Sequence, residues 1–202
     1  MKVEVGSDIY NVSRIDSIEG FKSLESEWNK LLKRSSQANN PFLTFEWQFT
    51  WWAHRGKGRE LHVIIVRDSE DTLIGIAPFM IMSRYFFKVV EFIGFENSDY
   101  SEVISFKDKG EVVLYCIFHY HNIKKHIWDN ISFLYINNRN DTLEHILTTS
   151  KKFPIFISTK LYTISPYLPI ESSWNDFLHS KSSSFRRNLK YWSTKVTEYG
   201  DV

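Results

Sequence analysis

Three clusters in this 202-residue sequence hold side chains fit for chemistry. The first is Ser98-Asp99-Tyr100, just past the fourth predicted strand, where a sheet edge opens toward a substrate. There Asp99 can orient or deprotonate an acceptor amine or hydroxyl while Tyr100 donates a hydrogen bond. The alternative is a turn in which Asp99 accepts from nearby backbone N–H groups. The second cluster is Phe45, Trp47, Phe49, Trp51 and Trp52, a helix apolar nearly all round. Such a helix is usually buried, unless Trp47 or Trp51 lines a cleft and stacks on a sugar or lipid acceptor. The third is a basic run, Lys181, Arg186, Arg187, Lys190 and Lys195, with no acidic residue between them. Arg186 and Lys190 share a helix face, and guanidinium forks suit phosphate or carboxylate. That face is either simply solvated or a contact for an anion, such as a phosphorylated or lipid-linked acceptor.

Other candidates carry less. His119 and His121 are two apart, so on one helix they point about 200° from each other and cannot share an ion. No metal site is expected. His119 and Cys116 fall on the apolar side of their helix and read as core residues. A nucleophile elbow, a phosphate-binding loop and a dinucleotide fingerprint are all missing.

The elements that must position these groups follow from periodicity. Residues 2–14 read as a first strand, and Asp16 with Glu19 as a capping box. Phe21, Leu24, Trp28, Leu31 and Leu32 then form a helical stripe. After the loop at 35–41, Thr44 caps the aromatic helix. Residues 61–67 and 73–82 form a hairpin, and 88–95 a fourth strand. A helix at 111–128, a strand at 131–136, a helix at 141–151 and a strand at 155–164 complete the predicted sheet. The order is β-α-α-β-β-β-α-β-α-β, which implies a mixed α/β sheet covered by helices. Two further helices follow; in the second, Phe185, Leu189, Trp192, Val196 and Tyr199 form an apolar stripe that Gly200 would end.

Composition sets bounds. Hydrophobic and charged contents of 43% and 24% are ordinary for a globular protein, and 16% aromatic is high. A net charge of +1 gives no global drive toward nucleic acid, and no broad basic surface supports that partner. A single cysteine and the lack of an apolar leader or spanning segment point to a reducing, cytoplasmic compartment.

The sequence resembles the CelD-like acetyltransferases of the GNAT superfamily, relatives of the FemAB-type peptidoglycan-bridge transferases. The resemblance is carried by Trp28, Leu31 and Leu32; Pro41-Phe42, Glu46-Trp47 and Trp51-Trp52; Gly75-Ile76-Ala77-Pro78-Phe79; and Ser98-Asp99-Tyr100. It continues through Tyr167-Leu168, Ser173-Trp174, Phe177-Leu178 and Arg186-Arg187-Asn188-Leu189. It implies two tandem GNAT-like halves: a GNAT-like domain over residues 1–170, then a linker and basic helix at 171–202 that open a truncated second half. It also implies acyl transfer from acetyl-CoA or another acyl-CoA to an amine or hydroxyl. The acceptor would be a saccharide, an amino sugar or a lipid-linked cell-envelope component. The family's glycine-rich pyrophosphate loop would fall at residues 94–113, which instead hold isolated Gly94 and Gly110 among carboxylates. The donor site is therefore expected in the other half, leaving this chain alone inactive. A degenerate module that only binds a saccharide, lipid or protein is the competing expectation.

Overall fold

The computed structural model describes residues 1–137, 141–164, 166, 168–169 and 173–200. They form two compact units, Met1–Tyr162 and Thr163–Val202. Tyr167 and the expected domain boundary at 170–171 lie outside the described residues.

The first unit is built on a seven-stranded mixed sheet. A hairpin of β1 (Lys2–Val5) and β2 (Asp8–Ile15) replaces the single strand expected at 2–14. Val5 pairs with Asp8 across the two-residue loop Gly6-Ser7, and Gly6 takes φ +63°. A positive φ at the first loop position is the turn that matches strand twist, and glycine adopts it freely. Next come helices α1 (Ile18–Ser23), α2 (Glu25–Lys33) and α3 (Phe45–Arg55). Ser17 caps α1 by accepting from Gly20 N, so the cap sits one residue later than the Asp16 reading placed it. Thr44 caps α3 as expected, accepting from Trp47 N at 3.3 Å.

Strands β3 (Glu60–Arg67), β4 (Leu73–Arg84) and β5 (Phe87–Phe92) run antiparallel. The short β6 (Ile104–Ser105) also pairs with β4. Helix α4 (Gly110–Ile123) then leads to β7 (Asn130–Ser132), which lies parallel to β5, and α5 (Thr142–Ser150) follows. Residues 133–136 do not continue β7, and 155–164 form no strand.

Helices cover both faces of the sheet, which explains why β3 and β4 are apolar almost without interruption. Leu61, Val63, Ile65, Ile76 and Met80 pack with Trp28, Leu31 and Phe45 of α2 and α3. Ile64, Val66, Phe79, Ile81 and Phe92 pack with Val113, Leu114, Ile117 and Tyr120 of α4. Trp28 is fully buried, and its indole N–H finds Leu43 O at 2.8 Å. At Gly75 a Cβ would overlap the Val113 side chain, so this glycine lets α4 settle directly on β4.

Pro78 stands inside β4, where proline is normally excluded for want of an N–H. It falls between the residues bonded to β5, which start at Phe79, and those bonded to β6, which end at Ile76. β5 leaves the sheet here, with Ile93 N still donating to Pro78 O at 2.7 Å. The chain then makes the excursion 94–103 before returning as β6. The Ser98-Asp99-Tyr100 cluster is thus delivered from a split in the sheet.

The second unit contains α6 (Trp174–His179) and α7 (Ser183–Thr197). Ser173 and Ser182 cap them, accepting from Asp176 N and Phe185 N, each at 3.2 Å. α7 ends at Thr197 with Glu198 as its cap rather than at Gly200, and Lys195 pairs with Glu198 at 2.7 Å. Its stripe of Phe185, Trp192, Val196 and Tyr199 is exposed.

Candidate functional site

A cleft of about 510 Å³ opens in the first unit between the loop after α2 and Tyr100 of the 94–103 excursion, with Lys107 and Asn137 beside it. Its walls include Ser35, Ser36, Gln37, Asn39, Asn40, Phe42, Tyr100, Lys107 and Asn137. The carboxamides of Gln37, Asn39 and Asn137 and the Ser36 hydroxyl supply donors and acceptors, Ser35 and Asn40 are bonded within the wall, and Phe42 and Tyr100 supply aromatic surface. Lys107 is the one charged side chain among the described wall residues. Carboxamides both give and accept hydrogen bonds. Such walls suit a neutral, hydroxyl-rich molecule better than an anion.

Four hydrogen bonds hold this cleft in shape. Asn40 accepts from Phe42 N at 3.0 Å and donates through Nδ2 to Tyr100 O at 2.8 Å, tying the two loops together. The Trp47 indole donates to Ser98 Oγ at 2.9 Å, and the Trp51 indole to Asn97 Oδ1 at 3.0 Å. Gly94 turns the chain toward them at φ +78°, where a Cβ would stand 3.0 Å from Ser98 Oγ. Arg59 braces the far side, its guanidinium 5.4 Å from the Trp51 ring and 3.2 Å from Glu96. Tyr100 itself adopts φ +56° and is 40% exposed. A bulky residue in that left-handed conformation is an outlier that clusters at functional sites. Asp99 beside it is exposed.

The structure therefore brings Asp99, Tyr100, Trp47 and Trp51 into one region, with the two indoles acting as pins for the excursion and Tyr100 on the cleft wall. Arg186, Arg187 and Lys190 belong to the second unit. Arg186 Nη1 donates to Lys181 O at 2.8 Å and to His179 O at 3.3 Å, carbonyls at and just past the end of α6. Arg187 and Lys190 are exposed on α7 and border a shallow depression of about 340 Å³ with Tyr191 and Thr194.

The first turn of α4 is where the resemblance would put an acyl-CoA pyrophosphate. Glu111 lies in that turn and pairs with Lys152 at 2.9 Å. The His145 ring of α5 covers Gly110, with Nδ1 2.9 Å from where a Cβ would stand. A carboxylate and a packed imidazole do not fit a pyrophosphate. Nearby Glu102 is buried and accepts from the Thr142 hydroxyl.

One polar pair escaped the sequence reading. His62 of β3 and His121 of α4 are fully buried, their Nε2 atoms 3.0 Å apart. His121 Nδ1 lies 2.8 Å from Ile117 O, which can only accept, so Nδ1 carries the proton. Its Nε2 is then bare, and His62 Nε2–H must donate to it. His62 Nδ1 remains a buried lone pair with no partner among the described residues. Burial pushes the His121 pKa down to about 4 and that of His62 to about 2, with His121 and Arg14 further opposing a charge on His62. The sequence placed His119 in the core; instead it is half-buried and His121 is sealed. The buried face of α4 centres on Leu114, Ile117 and His121, so it is turned away from His119. Cys116 is buried as expected, and desolvation raises its thiol to about 12.

Among the described residues no cluster of three His, Cys, Asp or Glu is placed to hold a metal, and no helix is long and apolar enough to cross a membrane. The chain matches no protein-family model and no curated protein. Solved structures similar to it include an integron cassette protein from the mobile metagenome of V. cholerae. That match has 14% identity and a TM-score of 0.44, over 85% of this chain and 98% of the other. Another is an aminoglycoside antibiotic 6'-N-acetyltransferase from Acinetobacter baumannii. Its identity is 9% and its TM-score 0.44, over 79% of this chain and 99% of the other.

Proposed function

We propose that the first unit is the acceptor-binding half of an acyltransferase of the CelD-like GNAT kind. The cleft holds a neutral sugar or amino sugar, Tyr100 donates a hydrogen bond to it, and Asp99 takes the proton from its amine or hydroxyl. The observation that carries this reading is the carboxamide-lined cleft, clamped by Asn40 and floored by the indole-pinned excursion. The acyl-CoA donor is held by other residues than the first turn of α4, and Arg187 and Lys190 are candidates for contact with an anionic part of a substrate. Acceptor recognition and donor recognition are then separable. Titrating the chain with neutral sugars and amino sugars, without acetyl-CoA, should give binding that Asn40→Ala weakens by about tenfold, the equivalent of 1.4 kcal/mol. Absence of binding by any such acceptor would overturn the assignment.

A second reading is a non-catalytic saccharide-binding module, favoured by the Glu111–Lys152 pair and the His145 ring at α4. Label from acetyl-CoA appearing on a bound amino sugar separates the two: transfer supports the enzyme, and binding without transfer in the complete protein supports the module.

A further inference from the structure

Two hairpins of this chain close with the same two-residue loop, and only one obeys the usual residue preference. At β1–β2 the loop is Gly6-Ser7 with Gly6 at φ +63°. At β4–β5 Arg84 pairs with Phe87, the loop is Tyr85-Phe86, and Tyr85 takes φ +56°. Glycine is the residue expected at that first position. A tyrosine there meets the steric cost of the left-handed region and gains no packing in return. Tyr85 is 100% exposed, Phe86 96% and Phe87 62%. Local rules broken without a structural gain mark functional positions.

The surroundings of the tip are basic. Arg84 and Lys88 flank the aromatics. Parallel pairing of Val89 with Asn130, and donation by Asp129 N to Lys88 O at 2.8 Å, send the preceding segment back toward the tip. That segment carries exposed Lys124, Lys125 and His126. The acidic neighbours are Glu60, 3.6 Å from Lys88, exposed Asp129, and Glu91, which is buried against Arg84 at 3.0 Å. Four lysine and arginine charges thus face three carboxylates, of which buried Glu91 is taken up by Arg84.

From this geometry we infer that the Tyr85-Phe86-Phe87 tip docks on an anionic phospholipid surface. The three rings enter the interfacial layer, and Lys88, Lys124 and Lys125 meet the headgroups. Three aromatic side chains offer roughly 450–750 Å², less than the about 800 Å² that one side of a stable protein interface buries. A bilayer asks for no such area: aromatic rings favour the headgroup boundary, and basic residues near an anionic leaflet add attraction. A projecting tip fits that boundary, and a flat protein partner would touch little more than the tip.

Cosedimentation of the full chain with vesicles tests this. Binding is expected to vesicles of phosphatidylcholine mixed with phosphatidylglycerol, to weaken as salt is raised, and to be slight on phosphatidylcholine alone. The double variant Tyr85→Gly with Phe86→Ser copies the Gly6-Ser7 turn and so keeps the hairpin. It should bind at least about tenfold more weakly, given the apolar area removed. Lys124→Glu with Lys125→Glu should lose the preference for anionic lipid. Equal binding by the turn variant, or equal binding to neutral vesicles, would overturn the inference. So would self-association of the chain, without lipid, that the turn variant abolishes.

Discussion

The two sides of the sheet solve the problem of polar groups near the core in opposite ways. On the side of α2 and α3, the Trp47 and Trp51 indoles reach outward and are satisfied by Ser98 and Asn97 of an excursion that surfaces at a cleft. On the side of α4, His62 and His121 satisfy each other and a carbonyl, sealed from solvent. The first arrangement couples core packing to the shape of a surface loop. The second couples core packing to pH and to nothing at the surface. Both bury aromatic nitrogen, yet only one is positioned to take part in recognition.

The largest effect should come from the sealed pair. Both folded-state pKa values lie below the ordinary histidine value, so the unfolded chain binds more protons below about pH 6.5. Stability is therefore full above that pH and is lost as the pH falls toward about 4. His121 alone accounts for about 3 kcal/mol over that window by linkage. Urea midpoints measured at stepped pH should show this decline, and His62→Leu with His121→Leu should flatten it. A wild-type profile already flat between pH 7 and 5 would break the contrast.

A smaller effect is expected at the turn that feeds the excursion. Gly94→Ala places a Cβ at φ +78° and 3.0 Å from Ser98 Oγ. It should cost about 1–2 kcal/mol and weaken acceptor binding while leaving the acid profile unchanged. Smaller again are Trp47→Phe and Trp51→Phe, each removing one indole donor for about 1 kcal/mol. Tryptophan emission and ligand affinity should change in both, and the thermal midpoint should fall less for Trp51→Phe, because exposed Asn97 can turn to water whereas Ser98 is buried.

What the sequence disclosed follows the strength of each periodic signal. The stripe of Trp28, Leu31 and Leu32, the Thr44 cap and the β3–β4 hairpin were legible because local pattern and tertiary environment agree there. The first hairpin was missed although Gly6-Ser7 sits between alternating segments, which is a usable turn signal. Residues 155–164 alternate like a strand, but Ile155 and Ile157 instead pack on the core from irregular chain. The histidine pair was illegible for a different reason. α4 is buried over most of its circumference, so its periodicity is weak, and His62 lies 59 residues away. At the cleft, Tyr100 stood out from the sequence. The carboxamide wall did not, since residues 35–41 read only as a loop.

Isothermal titration with amino sugars tests the cleft as an acceptor site most directly. Wild-type chain and the His62→Leu, His121→Leu variant should bind alike above pH 7, whereas Asn40→Ala and Tyr100→Ala should each bind about tenfold more weakly. Binding unaffected by Asn40→Ala and Tyr100→Ala, or no binding by the wild type, would contradict it.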